Sequence, residues 1–291
     1  MKTNITPYLL WAFLLSWILQ IAASFFYLHG HAILYQYLLI TVMYMPLVGA
    51  LLSGSDLGDL GWRPVFKGHI KSLLLAWFGP AVLSILGAVV YFLLFPAALD
   101  LTGTTMVMQL GSEASAQLEA AGITIPQYLL ISTLSAVTYA PFLNALAALG
   151  EEVGWRGVLY PALKQRFGLF RGRVLGGIIW GIWHWPIMLL TGYEYGTDYI
   201  GAPVLGLIVF CLFTIGTGIF VDILYVRTHC IWIPSLAHGA INAIAALPIY
   251  FTDIAYIKYD VFGPMMIGLL GMIPLWAAAA IMLRKERRTL T

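Results

Sequence analysis

The chain has 291 residues, 61% of them hydrophobic and only 10% charged, with a mean hydropathy of +0.88 and a formal net charge of +2. Soluble domains carry about 25% charged residues, so the composition excludes an ordinary soluble globular protein, and the small net charge supplies no basic surface for nucleic acid. The two cysteines, Cys211 and Cys230, lie in or beside apolar stretches at no metal-ligand spacing, which leaves no disulfide framework.

Hydropathy predicts an all-α polytopic membrane protein with about eight transmembrane helices in one integral membrane domain over residues 1–291. The first run, 7–28, follows Lys2; it is too long for a signal-peptide core and lacks a cleavage site, so it is expected to be a retained span. Spans follow at 33–54, 70–95, 128–160, 174–191, 201–225, 232–251 and 261–283. The fourth is long for one crossing and is expected to tilt or project. Between the third and fourth, residues 96–127 are long and polar enough for a short helix.

Charge in the connections sets the orientation. Arg63, Lys67 and Lys71, then Lys164, Arg166, Arg171 and Arg173, then Arg227, and finally Arg284, Lys285, Arg287 and Arg288 all fall on one side. Asp100, Glu113, Glu119, Glu194 and Asp198 fall on the other. The positive-inside bias therefore predicts cytoplasmic N- and C-termini and a multi-pass location in the cell membrane. Asp222 reads as a charge at the cytoplasmic interface, and His29, His31, His69 and His229 as bystanders in loops or at span ends.

Ionisable groups inside apolar segments are costly and mark function. Glu151 and Glu152 open the run Glu151-Glu152-Val153-Gly154-Trp155-Arg156, in which Glu152 and Arg156 share a helix face while Glu151 points about 100° away. His184 stands in the fifth span, and His238 and Asn242 share a face of the seventh. A rise of about 1.5 Å per residue puts Glu151, His184 and Asn242 each about 15 Å from the basic side, and His238 about 9 Å. Gly150 and Gly154 make a small-x-x-x-small pair that admits a close neighbour. Pro141, Pro161, Pro186 and Pro234 flank the same helices and can kink them to open a cavity.

The chemistry open to such a group of side chains is hydrolysis. A carboxylate can act as base toward water, and a histidine can position that water or bind a metal. A histidine and an asparagine on one face can donate to a developing oxyanion. Arg156 would hold Glu152 ionised and leave Glu151 free for proton transfer.

These residues resemble the CAAX protease and bacteriocin-processing family of intramembrane endopeptidases, which includes the CAAX prenyl endopeptidase. Its motifs E-E-x-x-x-R, F-x-x-x-H and H-x-x-x-N match here as Glu151-Glu152 with Arg156, His184, and His238 with Asn242, with Trp180 in place of the usual phenylalanine. The likeness covers about 146–246, within a motif-bearing core at about 128–251. The resemblance implies that Glu151 is the general base, His184 its water-positioning partner, His238 and Asn242 the oxyanion donors, and Glu152 and Arg156 supporting residues. It further implies a hydrophobic or lipid-anchored peptide substrate, prenylated CAAX tails among them, cut near the cytoplasmic leaflet by a site facing the cytoplasm.

The family has been described both as metal-independent glutamate proteases and as metalloproteases. The chain has no H-E-x-x-H signature; the expectation is that no cofactor is required, with a zinc-type site of Glu151, His184 and His238 as the alternative. Two rival readings are a proton-coupled transporter or channel, since the same residue types build proton relays, and a catalytically silent bacteriocin-immunity protein. Against the transporter, no repeat pair is evident.

Overall fold

The computed structural model describes residues 5–64 and 66–290, and Lys2 lies outside them. Helices dominate: α1 Thr6–Leu28, α2 Ala32–Met43, α3 Met45–Leu52, α4 Ile70–Leu94, α5 Thr104–Ala120, α6 Ile125–Val137 and α7 Ala140–Gly154. They continue as α8 Tyr160–Phe167, α9 Leu169–Trp183, α10 Trp185–Thr191, α11 Val204–Thr228, α12 Trp232–Ile244 and α13 Ile273–Leu290. Among the described residues the only β pairing is an isolated bridge, Leu99 with Thr252. The all-α polytopic fold is therefore as the hydropathy predicts.

The span count differs in detail. Among the described residues five helices are long and apolar enough to cross a membrane, and the bent pairs α2–α3 (41°) and α5–α6 (103°) raise this to as many as seven. The predicted fourth span is broken into α6, α7 and α8, and the short helix expected in 96–127 is α5. The predicted eighth span, 261–283, is helical only from Ile273. Residues 261–272 instead fold on themselves, with Leu269 N–H donating to the Val261 carbonyl and Leu270 N–H to that of Phe262. Pro264 removes a donor there and Gly263, Gly268 and Gly271 supply close turns. The stretch is almost wholly buried, the condition under which non-helical backbone is tolerated at membrane depth. Hydropathy reads the same letters as a span because it counts apolar side chains and not backbone donors.

The two ends of the bundle are chemically distinct. At one end Asp100 N–H donates to the Phe251 carbonyl and Ile200 N–H to that of Lys258, joining the acid-rich connections. At the other, Asp222 lies fully buried between Lys164 Nζ at 2.7 Å and Arg173 Nε at 2.6 Å, and Arg173 also holds Glu286 of α13. Asp222 is thus a buried, ion-paired charge and not a solvated one, and so is Arg173; together they tie α8, α9, α11 and α13 at the basic end.

Candidate active site

The local sequence around Glu151 explains its surroundings. Pro161 has no N–H to give the Gly157 carbonyl, and the ladder slips into a π turn over Trp155–Leu159, with Tyr160 N–H donating to the Trp155 carbonyl. Gly150 and Gly154 let α7 lie against the α2–α3 bend: a Cβ on Gly150 would meet Tyr44 Cα at 2.7 Å, and one on Gly154 would meet Pro46 Cβ at 2.4 Å. On another face Gly239 admits α12, since a Cβ there would meet Ala145 N at 2.4 Å. That close approach carries the neighbouring His238 to Glu152.

The polar residues form two connected groups. Glu152 and Arg156 are a fully buried ion pair, with both Nε–Oε2 and Nη1–Oε1 at 3.1 Å, and His238 Nδ1 donates to Glu152 Oε1 at 2.8 Å. Arg156 also lies over the rings of Tyr160 (4.6 Å) and Trp180 (5.0 Å). Glu151 belongs to the other group. Its Oε2 accepts from two indoles, Trp180 Nε1 at 2.8 Å and Trp155 Nε1 at 3.1 Å. No cation is needed to seat it, and Oε1 is left without a protein donor among the described residues.

His184 sits at the break between α9 and α10. Its Nδ1 is 3.0 Å from the Trp180 carbonyl, which can only accept, so Nδ1 carries the proton and Nε2 has the free lone pair. The break is held open from α1. In a continuous helix Ile187 N–H would donate to Trp183; here it donates to Gln20 Oε1 at 3.2 Å, while Gln20 Nε2 donates to the Trp183 carbonyl at 2.8 Å. Pro186 favours this interruption. Gln20 is 1% exposed inside an apolar span, so its buried amide was a legible signal that the motif pattern passed over.

Glu151, His184, His238 and Asn242 all line one chamber of about 100 Å³, which is room for several waters. These four residues, which helix rise assigns to similar depths, thus border one chamber, and neither Glu152 nor Arg156 lines it. With Nδ1–H engaged by Glu152, His238 presents Nε2 to the chamber; Asn242 stands at its rim. Among the described residues no three His, Cys, Asp or Glu side chains converge as metal ligands. Glu151 Oε2 and both imidazole Nδ1 atoms are engaged, while Glu151 Oε1 and the two Nε2 atoms are not; a histidine whose Nδ1–H is held by an acceptor can still bind a metal through Nε2.

Trp180 touches every part of the arrangement: Glu151 through Nε1, Arg156 through its face, His238 edge-on at 5.1 Å and His184 through its carbonyl. Trp180→Phe keeps the ring but deletes one donor to a carboxylate, worth about 1.5–3 kcal/mol. The expected result is a fall in kcat/KM of about ten- to a hundredfold with the fold intact; an unchanged value would make the indole contact incidental.

Residues 127–244 match the family model described as type II CAAX prenyl endopeptidase Rce1-like, a segment that contains every motif residue. A curated protein of Methanococcus maripaludis, CAAX prenyl protease 2, is 44% identical over 55 residues. That stretch is 19% of this chain and 20% of the relative's length.

Proposed function

We propose, since the chain belongs over its helical core to the Rce1-like family, that it is an intramembrane endopeptidase using Glu151 as a metal-independent general base. The observation that carries this reading is the convergence of Glu151, His184, His238 and Asn242, delivered by three separate stretches of helix, on one chamber.

The residues support a complete hydrolytic cycle. Water held between Glu151 Oε1 and His184 Nε2 loses a proton to Glu151 as its oxygen attacks the scissile carbonyl. The carbonyl oxygen gains negative charge between Asn242 Nδ2 and His238 Nε2–H. Because His238 already donates Nδ1–H to Glu152, an Nε2–H donor makes it an imidazolium, and the Glu152 carboxylate is its counter-charge. Arg156 pairs with Glu152 and fixes it in turn. The proton on Glu151 then passes to the departing amine, which leaves an acid and an amine.

The substrate class follows from the setting. A peptide reaching a chamber inside the bundle is hydrophobic or carries a lipid anchor, and a prenylated CAAX-type tail, the substrate named for the relative, is one such chain. The basic end faces the cytoplasm by the positive-inside bias.

The test is cleavage of an anchored peptide by purified protein before and after exhaustive chelation, with the metal content measured. Cleavage that survives chelation, in protein free of stoichiometric metal, is the expected result. Loss on chelation with recovery on adding zinc would overturn the metal-independent mechanism while leaving the protease reading in place.

A further inference from the structure

Toward the acid-rich end the chamber adjoins a larger cavity of about 700 Å³; Leu39, Met43, Tyr193, Glu194 and Asn242 line both. That volume is in the range of ligand sites. Its lining includes two carboxylates, Glu194 and Asp260, and no lysine, arginine or histidine.

Asp260 is the telling residue. It is 2% exposed, its Oδ1 has no hydrogen-bond partner, and it stands in the connection between α12 and α13. Lys258, two residues away, does not serve it: its ammonium lies over the Tyr259 ring at 5.3 Å and does not line the cavity. A buried carboxylate without a partner is costly, and such groups are rare in folded proteins. Burial pushes the Asp260 carboxyl up to about 8 and that of Glu194 to about 7, the state of acids that lack a counter-charge. Glu194 comes from the opposite connection, between α10 and α11, and borders the chamber itself.

We propose that this cavity is a substrate subsite that receives a lysine- or arginine-bearing segment of the peptide, its cation recognised by Asp260 and Glu194. The proposal rests on the protease reading and adds a preference that the motif residues do not encode. Asp260 lies outside the 127–244 family match and Glu194 within it. An acidic residue at the same peptide position would face two carboxylates and be rejected.

The test uses anchored peptides of one sequence that carry lysine, norleucine or glutamate at successive positions on either side of the scissile bond. At one register the lysine peptide should show a kcat/KM at least tenfold above the norleucine peptide, with the glutamate peptide below both. Asp260→Asn and Glu194→Gln should each bring the lysine-to-norleucine ratio toward one. Equal rates for lysine and norleucine at every register, or a lysine preference that survives both substitutions, would overturn the subsite while Glu151-dependent cleavage of the norleucine peptide keeps the protease reading. If no peptide is cut, that reading fails instead. The subsite is then judged by fluorescence anisotropy on Glu151→Gln protein, where tenfold tighter binding of the lysine peptide is expected and equal binding refutes it.

Discussion

Protein carrying Glu151→Ala will lose peptide cleavage, with kcat/KM down by at least about 10²–10⁴-fold, the usual contribution of a positioned general base. The alanine variant also leaves the indole N–H groups of Trp155 and Trp180 without an acceptor in a buried site, at a cost of about 1–3 kcal/mol each. Glu151→Gln separates the two effects. Its amide oxygen still accepts from both indoles, so the chamber keeps its shape, yet it cannot take a proton from water. The expected pair of results is a destabilised, inactive alanine variant and a stable, inactive glutamine variant, read by thermal unfolding in detergent and by peptide hydrolysis. A glutamine variant retaining more than about a tenth of wild-type activity would remove Glu151 as the base. Loss of proton transport, with peptide hydrolysis absent in the wild type as well, would favour the transporter reading instead.

Arg173→Met will be the most destabilising single change at the basic end. Arg173 is fully buried and bonded to both Asp222 and Glu286. Removing one partner of a buried ion pair costs about 3–5 kcal/mol, because the charge left behind stays buried. Lys164 continues to face Asp222, which places the expected loss toward the lower bound. The double variant Arg173→Met with Asp222→Leu removes the fully buried carboxylate, leaving the partly exposed Lys164 and Glu286, and should recover part of the loss. Unfolding in detergent across the single and double variants provides the measurement; a single-variant loss under about 1 kcal/mol would show the network to be neutral. None of Lys164, Arg173, Asp222 and Glu286 lines the chamber, so protein that remains folded should keep its cleavage rate.

The two cases differ in how legible they were. Glu151, Glu152 and Arg156 announce themselves as charges in an apolar run, and the four-residue spacing of Glu152 and Arg156 already implies their pairing. Helix rise places Glu151, His184 and Asn242 in one layer without any knowledge of packing. Asp222 and Arg173 carry no comparable signal, since each sits near a span end where a solvated charge is the ordinary case. Only the contact among α8, α9, α11 and α13 buries them. Trp180 was visible as a departure from a motif phenylalanine, yet its role depends on its indole reaching Glu151 twenty-nine positions away in sequence.

Apolar letters, the sign of charge in the connections and the regular rise of a helix are local properties. From them the membrane class, the all-α fold, the two unlike ends and the candidate residues could be read directly. Which helix faces touch depends on close approach at Gly150, Gly154 and Gly239, and on the insertion of Gln20 into a distant helix. Long-range packing decided that His238 rests on Glu152 and that two indoles hold Glu151, and likewise that residues 261–272 fold into turns and that Asp260 is buried beside a cavity. The physical reason is that burial and backbone satisfaction are settled by neighbours remote in sequence, whereas periodicity and hydropathy report only on residues within a few turns.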